Sequence, residues 1–433
     1  MNVRSRLETA AIIEAPEGFS DAAGPAPESK LPVIDMEPWL HAKPPPREFA
    51  FGDLLPLRQA GLLTGLGGVG KGIFAQQLVT CSALALTCLG LRVNPAPAIY
   101  LTTEDDTDEL WRREEAICAQ VGGRIADVIG QLHLTSLVGE RHTALATFDA
   151  NGQLQQTDRW GQIVSTARAV GARLIVLDNA TDLMAGDHND LHQVAEFVQL
   201  LTGLAIEQNG AVVIVHHPNK GGDDWLGSIA WHNKVRNRLL LKRPDSDVDP
   251  DARVLISQKA NYAPAGGPFR WFKGAFVRDE DLSPDVVEEI AATVAANADN
   301  EIFLKCLRER TRQARAVSEK HSPTFAPSEF AKMQEAKGLS KARLEAAMDR
   351  LFRIAAIKRA ELWKGPDRKP VYGLRESAGN GAVNGAGDAR ATLNTDTAGN
   401  GAGDAEETHT RIYDTAGAAL GAAAPTDDAG IPF

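Results

Sequence analysis

The sequence has few cysteines and no long hydrophobic run. Its four cysteines form no C-x-x-C pair and lie near no histidine at zinc-site spacing, which argues against a disulfide framework and a zinc module. The first thirty residues contain no apolar stretch of the signal-peptide kind. No run approaches the roughly 18 apolar residues that cross a bilayer. We therefore expect a soluble, cytoplasmic protein.

Aromatic residues are also scarce, at 6% of the 433 residues, but the hydrophobic share of 43% and the charged share of 24% are ordinary for a globular protein. The net charge of -11 is distributed unevenly. Residues 301–375 hold 18 Lys and Arg against 9 Asp and Glu, whereas residues 1–300 hold 26 against 39 and residues 376–433 hold 2 against 9. A basic block between acidic ones indicates a polyanion-binding module attached to another domain.

Composition and periodicity divide the chain into five parts, with the length allowing two or three folded domains. The parts are a disordered lead-in at 1–45, an α/β domain at 46–278, an acidic, Ala-rich linker or short helix at 279–300, a winged-helix domain at 301–375, and a disordered acidic Gly/Ala-rich tail at 376–433.

In the second part, short apolar runs alternate with helical patterns. This alternation predicts an α/β fold with a mostly parallel sheet that is covered on both faces. The predicted strands are 61–64, 98–102, 174–177 and 211–215, followed by additional strands at 254–259 and 269–276, and the predicted helices include 73–86 and 191–207.

The basic block has the pattern of three helices and a two-stranded wing. Ser340 is placed to cap the third helix, in which apolar residues at i, i+4, i+7 and i+11 from Leu344 form one buried stripe. The predicted elements are helices at 301–320, at 328–336 and from 340 onward, then strands at 357–363 and 371–374 around a basic loop. This order is typical of a winged-helix module.

A glycine-rich loop joins the first predicted strand to the first predicted helix. Glycines permit a tight loop whose backbone N–H groups cradle phosphates, and Lys71 is placed to reach the β- and γ-phosphates. Gly72 stands where a Ser or Thr normally holds Mg²⁺, so a loop that binds nucleotide without hydrolysing it is an alternative. The predicted nucleotide-binding residues of the loop are Gly65, Gly67, Gly68, Val69, Gly70, Lys71 and Gly72.

Three further predicted strands end in polar side chains. Asp178 ends an apolar strand, which predicts a nucleotide-binding residue that holds Mg²⁺ through water. Glu104 is the candidate that polarises the attacking water, with an acid at a helix start as the alternative. His217 is the candidate that contacts the γ-phosphate, while His216 is expected to pack; a zinc site is the alternative for this pair.

These motifs occur in the order GLGGVGKG, YLTTEDD, LIVLDNATDL, IVHHPNK, GSIAWHNKVRNRLLL and QKANYAP, over about residues 46–278. The ordered set resembles the RecA-type ATPases of the RepA hexameric replicative helicase family. The resemblance implies a RecA-like core that assembles as a homo-hexameric ring, binds ATP and Mg²⁺ between subunits, and moves along single-stranded DNA.

The resemblance also implies roles for single residues. Arg236 matches an arginine finger that reaches into the neighbouring subunit's site, with Arg238 a close second and a surface arginine as the alternative. Gly72 departs from the usual pattern of the family. The catalytic residues that the resemblance implies are Lys71 as the P-loop lysine, Glu104 as the catalytic carboxylate, His217 as the γ-phosphate sensor, and Arg236 or Arg238 as the finger, with Asp178 as the metal-binding aspartate of the second motif.

The winged-helix prediction adds a second DNA contact, to groove and phosphates. A small solvated domain or a protein–protein module is the alternative, but the positive balance favours nucleic acid. The predicted DNA-binding residues are Lys341, Arg343, Arg350 and Arg353 on the third helix, and Lys364, Arg368 and Lys369 in the wing. We expect single-stranded DNA, and also duplex DNA, as partners.

The last residues resemble the C-terminal peptide of bacterial single-stranded DNA-binding proteins. The resemblance implies a peptide that recruits replication or repair proteins, with the terminal aromatic residue in a pocket of the partner; an unremarkable disordered end is the alternative. The residues concerned are Asp427, Asp428, Ile431, Pro432 and Phe433.

The leading functional hypothesis is an ATP-driven DNA helicase or translocase for plasmid or phage replication. One alternative is an ATP-dependent mediator or loader that assembles on single-stranded DNA without unwinding duplexes. A second alternative is a nucleotide-gated DNA-binding regulator, which does not hydrolyse ATP and acts through its winged helix.

Overall fold

The structure, a computed structural model, describes residues 33–217, 229–244, 248–257 and 267–377. The predictions for the lead-in before residue 33, the QKANYAP motif and the tail after residue 377 lie outside the described residues. In the described part of the lead-in, a 3₁₀-helix spans Glu37–His41. Among the described helices, none combines the length and the apolar character needed to cross a membrane.

Strands and helices alternate over most of the described chain. The strands are β1 Phe49–Phe51, β2 Leu55–Pro56, β3 Gln59–Thr64, β4 Ala98–Thr102, β5 Leu132–Ser136, β6 Ala146–Phe148, β7 Leu154–Gln156, β8 Leu174–Asp178, β9 Met184–Ala185, β10 Ala211–His216, β11 Asn237–Lys242, β12 Ala252–Ser257, β13 Phe269–Phe272, β14 Ala275–Val277, β15 Ile357–Lys364 and β16 Pro370–Glu376. The helices are α1 Lys71–Ala83, α2 Thr107–Val121, α3 Ile125–Val128, α4 Asp158–Val170, α5 Ala180–Leu183, α6 Leu191–Glu207, α7 Ile229–Lys234, α8 Pro284–Arg312, α9 Ala326–Phe330 and α10 Lys341–Arg353.

One large sheet organises the first domain, with the strand order β14-β13-β12-β11-β3-β10-β8-β4-β5. The six strands from β11 to β5 pair in parallel, whereas β12, β13 and β14 continue the sheet in antiparallel pairs. The predicted fold class is therefore confirmed for this domain, since a large, mostly parallel sheet between helices is the architecture of a RecA-like P-loop core.

Both faces of the sheet are buried, which explains why its strands are apolar runs without polar alternation. In β8, Ile175 and Leu177 belong to one hydrophobic cluster, while Leu174 and Val176 belong to the cluster on the opposite face. Helices α4 and α6 contribute to the first cluster, and α1 and α2 contribute to the second. The strands are thus held in a fixed register with their carboxyl ends at a common edge.

The antiparallel end of the sheet differs from the sequence prediction in one detail. Residues 269–276, predicted as one strand, form the two strands β13 and β14, which pair with each other. The turn between them contains Lys273 and Gly274, with φ angles of 47° and 91°. Glycine adopts positive φ at little cost and so permits the reversal.

The C-terminal module comprises α8 to β16, and its first helix corrects the sequence prediction. The expected linker at 279–300 and the expected helix at 301–320 form mostly one continuous helix, α8, with Ser283 at its N-cap and Pro284 in its first turn. Proline is favoured at this position, and the Ala-rich stretch that follows contains no Gly or Pro to end the helix. The predicted helix at 328–336 is the short α9 followed by a 3₁₀-helix at Gln334–Ala336.

The third helix and the hairpin agree with prediction. The Ser340 hydroxyl accepts a hydrogen bond from the Arg343 backbone N–H at 3.3 Å and so caps α10. Leu344, Met348 and Leu351 are buried, but the stripe stops before Ala355, which is exposed beyond the end of the helix. Strands β15 and β16 pair in antiparallel register around the basic loop.

Candidate nucleotide-binding site

The glycine-rich loop lies between β3 and the N-terminus of α1. Gly70, at the N-cap of α1, has a φ of 99°, and a Cβ there would lie 2.6 Å from the Phe276 ring. A Cβ on Gly67 or Gly68, by contrast, meets no atom within 4 Å, so the loop faces open space. Because a helix N-terminus attracts anions, this open cradle suits a phosphate group.

Lys71 is the first residue of α1, and its ammonium group is buried in this cradle. Its Nζ donates hydrogen bonds to the Gly65 carbonyl at 2.8 Å and to the next carbonyl at 3.2 Å, and lies 3.1 Å from His217 Nδ1. Burial lowers the pKa of Lys71, while the charges of Asp178 and Glu104 oppose that shift. The lysine is therefore positioned where phosphate oxygens would replace the loop carbonyls as its partners.

The other predicted site residues meet Lys71 because they follow neighbouring strands. Asp178 is the last residue of β8, Glu104 lies two residues beyond β4, and His217 directly follows β10. These three strands lie side by side next to β3, and parallel strands place their carboxyl ends at one edge of the sheet. The His217 Nε2 atom lies 3.2 Å from Glu104 Oε1, which completes a contact series from lysine to histidine to carboxylate.

The Glu104 side chain is half-exposed and held in place by its neighbours. The Asn179 amide donates to Glu104 Oε1 at 2.6 Å, and the Thr102 hydroxyl accepts from the Glu104 backbone N–H at 3.1 Å. The hydrogen bond to His217 is the main cause that lowers the pKa of Glu104, with Asn179 and Lys71 acting in the same direction. The carboxylate is therefore ionised at neutral pH and available to accept a proton.

Asp178 is almost fully buried, and its environment includes the position of Gly72. Burial raises the pKa of Asp178 to about 6, although the hydrogen bond from Tyr100 opposes the shift. That hydroxyl donates to Asp178 Oδ2 at 2.8 Å, and burial keeps the pKa of Tyr100 well above its usual value. A Cβ on Gly72 would lie 3.2 Å from both the Tyr100 hydroxyl and Asp178 Oδ2, and 3.4 Å from the Arg113 guanidinium.

Residues 25–223 of the chain match the family model of an AAA domain. The match supports a P-loop ATPase. The matched span contains the glycine-rich loop, Glu104, Asp178 and His217, and it ends before β11. An AAA domain implies nucleotide binding, usually with Mg²⁺, which agrees with the open cradle and the buried lysine. No curated protein matches the chain.

The two candidate finger arginines of the ATPase domain occupy different environments. Arg236 is exposed directly before β11, whereas Arg238 lies within β11 and is only 9% exposed. Of the two, Arg236 is therefore the side chain that a second molecule can reach.

The predicted DNA-binding residues of the C-terminal module also divide into two sets. Arg343 makes two hydrogen bonds to the buried Asp299 carboxylate, at 2.9 and 2.6 Å, and Arg350 donates to Asn300 and to the Ala296 carbonyl, both at 3.1 Å. These two arginines attach α10 to α8. Arg343 is nevertheless half-exposed. Within the described residues, the other five cations make no hydrogen bond to α8 and are exposed as well: Lys341, Arg353, Lys364, Arg368 and Lys369.

The tail residues Asp427, Asp428, Ile431, Pro432 and Phe433 lie outside the described residues, as do the last three residues of the IVHHPNK motif. Within the described part of that motif, His216 is buried against Trp231, with ring centroids 5.3 Å apart. In the described ranges, no group of three or more His, Cys, Asp or Glu side chains is arranged to hold a metal ion.

Sequence reasoning did not identify three polar side chains of the site: Tyr100, Asn179 and Arg113. Arg113 forms a two-point ion pair with Asp105, at 2.5 and 2.7 Å, beside the Gly72 position. Two of the three carried a weak signal, since Tyr100 interrupts an aliphatic strand and Asn179 directly follows the motif aspartate. Their partners, however, are distant in sequence and are brought together only by the fold.

Proposed function

We propose that the chain hydrolyses ATP on DNA and acts as a DNA helicase or translocase in plasmid or phage replication. The observation that carries the proposal is the contact series Lys71–His217–Glu104, with separations of 3.1 and 3.2 Å. It joins the lysine of the phosphate cradle to the carboxylate placed to activate water, so that a bound nucleotide and the proposed base share a contact with one histidine. The AAA-domain match supports the ATPase part of the proposal.

Glu104 is the general base of the proposed reaction. Its carboxylate, held by Asn179, accepts a proton from the water that attacks the γ-phosphorus while the bond to the ADP oxygen breaks. Asp178 would hold Mg²⁺, and the ion when bound would supply positive charge beside the β- and γ-phosphates. Glu104 suits this role because its side chain is half-exposed, where water reaches it, and because it is ionised at neutral pH. The hydrogen bond from His217 that lowers its pKa, however, also weakens it as a base.

His217 is the residue that reports the state of the nucleotide. Its ring contacts Lys71 through Nδ1 and Glu104 through Nε2, and a bound γ-phosphate competes for the same lysine. Binding and hydrolysis therefore change the partners of His217 at the point where the chain leaves β10. Such a change at one residue can bias a larger two-state element of the assembly.

Assembly as a homo-hexamer completes the site. The exposed Arg236 reaches the γ-phosphate bound by the neighbouring subunit and stabilises charge in the transition state. Hydrolysis then depends on ring formation, and Arg238 is the weaker candidate because it is buried within β11. The hexamer moves on single-stranded DNA.

The C-terminal module supplies a second contact to DNA as a winged-helix domain. The module has three helices followed by a hairpin, and six of its seven predicted DNA-binding cations are exposed; one of the six, Arg343, is bonded to Asp299. Exposed cations on a helix and an adjoining loop suit the phosphate backbone of a duplex. The tail tip binds replication or repair proteins, and a peptide of the last nine residues should lose this binding when Phe433 is removed.

The absence of a Ser or Thr at position 72 favours a second candidate, an ATP-dependent loader that assembles on DNA without unwinding it. One experiment separates the candidates: ATP turnover with and without single-stranded DNA, together with strand displacement on a forked duplex, for the intact chain and Lys71→Ala. DNA-stimulated turnover and displacement, both lost in Lys71→Ala, support the helicase. Turnover without displacement favours the loader, and nucleotide binding without turnover favours the nucleotide-gated regulator.

A further inference from the structure

The region around Gly72 contains a hydroxyl group that comes from another strand. Tyr100, in β4, has no exposed surface, and its hydroxyl donates to Asp178 Oδ2 at 2.8 Å. A Cβ added to Gly72 would lie 3.2 Å from that hydroxyl and 3.2 Å from the same carboxylate oxygen. Contacts of this length are tighter than ordinary van der Waals packing, so a side chain at position 72 would crowd the Tyr100 hydroxyl and require it to shift by a few tenths of an ångström.

In a P-loop with Ser or Thr after the lysine, the side-chain hydroxyl and the aspartate of the second motif hold Mg²⁺ together. Here the hydroxyl beside the aspartate comes from β4 instead of from α1. The Tyr100 ring belongs to the hydrophobic cluster beneath the sheet, which fixes the hydroxyl in place. Arg113, whose guanidinium is paired with Asp105, closes the other side of the same space.

We infer that Tyr100 is a positioning residue for the Mg²⁺ site: its hydroxyl takes the place of the hydroxyl missing at position 72 and orients Asp178 toward the nucleotide. The inference rests on the nucleotide site of the proposed function. It explains how a P-loop with glycine at this position retains a hydrogen-bonded metal-binding aspartate.

The test measures how strongly Mg²⁺ tightens binding of a fluorescent ATP analogue, a readout that does not require turnover. Five variants are compared with the intact chain: Tyr100→Phe, Gly72→Ser, the double variant, Lys71→Ala, and Tyr372→Phe. Tyr372→Phe is the matched control, because Tyr372 is an exposed tyrosine of the hairpin. Thermal unfolding of each variant establishes that it is folded.

Tyr100→Phe should raise the Mg²⁺ concentration for half-maximal tightening about tenfold, while binding in EDTA changes by less than about twofold, because one oriented ligand rather than the phosphate cradle is disturbed. Gly72→Ser alone should weaken binding, since the serine Cβ crowds the Tyr100 hydroxyl and Asp178. The double variant should recover most of the Mg²⁺ response, because the serine hydroxyl occupies the vacated space. Tyr372→Phe should behave as the intact chain.

An unchanged Mg²⁺ response in folded Tyr100→Phe overturns the inference and leaves the proposed function intact. A double variant no better than Tyr100→Phe also overturns it, since it would mean that Tyr100 acts only in packing. If the intact chain binds the analogue no more tightly than Lys71→Ala, the proposed nucleotide site itself fails.

Discussion

In the ATPase domain, Lys71 at the start of α1 and Asp178 at the end of β8 are buried, whereas in the C-terminal module most of the predicted DNA-binding cations are exposed on a helix and a hairpin. The cause of the pKa shifts differs accordingly. Burial is the first cause for Lys71 and Asp178, while the hydrogen bond to Asp299 is the first cause that raises the pKa of Arg343. A buried charged group needs specific partners and therefore has one arrangement. An exposed cation can either bond to a neighbouring helix or bind a ligand.

This difference decides how specific a sequence signal is. A lysine in a glycine-rich loop between strand and helix has few alternative uses, because burying an ammonium group without a ligand to bind is costly. A cluster of exposed cations has several uses, and in the described part of the chain two arginines of this set, Arg343 and Arg350, are bonded to α8 while the other five cations are not. The following experiments test this contrast.

The largest expected effect is at the Lys71–His217–Glu104 series. Glu104→Gln keeps the shape of the side chain and its contact with Asn179, but it removes the base. We expect the rate of ATP hydrolysis to fall about 100-fold or more, with nucleotide binding unchanged within about threefold. A steady-state phosphate-release assay and a binding titration measure the two quantities.

The matched control is Glu115→Gln, an exposed acid on α2 in the same domain, which should hydrolyse ATP at the normal rate. If Glu104→Gln also retains the normal rate, Glu104 is the acid at a helix start that the sequence left as an alternative, and the base lies elsewhere.

Much of this site could be predicted from the sequence because its elements are set by local rules. An apolar run followed by Asp178, and a glycine-rich loop followed by Lys71, each specify a strand end or a helix start. The hydrogen bond between Tyr100 and Asp178 could not be predicted, since the two residues are 78 positions apart and meet only because β4 and β8 are paired. The local sequence pattern therefore predicts the strands and helices, whereas the side-chain contacts between them depend on how the strands pair in the sheet.

In the C-terminal module, too, local sequence patterns predict the elements but not the contacts between them. Ser340 and the buried stripe of α10 follow from spacing, but the roles of Arg343 and Arg350 depend on α8. That helix starts at Pro284, earlier than the composition suggested, and so presents Asp299 and Asn300 to α10. Charge counting located the basic block correctly but could not assign its individual residues.

Low pH should reduce the stability of the ATPase domain through a buried histidine. His216 is 4% exposed, and burial lowers its pKa to about 4. The unfolded chain binds a proton at this residue below about pH 6.5, while the folded chain does not. The folded state therefore loses stability as the pH falls from 6.5 toward 4.

His216→Phe keeps an aromatic ring against Trp231 but removes the titration. Between pH 7 and pH 4.5, the unfolding free energy of the variant should rise by about 2 kcal/mol relative to that of the intact chain. Comparing the variant with the intact chain removes the opposite contribution of Asp178, whose raised pKa makes the folded state lose stability as the pH rises from 3.8 to about 6.

Denaturant unfolding at the two pH values measures this difference. The exposed His192, at the start of α6, provides the control variant His192→Phe, for which no such change is expected. A pH-independent difference between His216→Phe and the intact chain would show that His216 is neutral or charged in both states alike.

The smallest expected effect is at the exposed cations of the hairpin loop, Lys364, Arg368 and Lys369. Replacing all three with Ala should weaken binding of duplex DNA about tenfold and reduce its salt dependence, because each phosphate contact releases counterions. Stability should stay nearly constant, since all three side chains are exposed. Fluorescence anisotropy at two salt concentrations measures the binding.

The charge-matched control replaces three other exposed lysines of the module, Lys305, Lys320 and Lys337, and should bind DNA nearly normally. A second comparison is Arg343→Ala with Arg350→Ala, which should lower the unfolding free energy by about 1 to 2 kcal/mol, because Asp299 then lies buried without its partner. If this pair weakens DNA binding more than the hairpin variant at equal stability, the two arginines contact DNA despite their bonds to α8. The distinction between the arginines that bond to α8 and the cations that bind DNA would then fail, since Arg343 and Arg350 would do both.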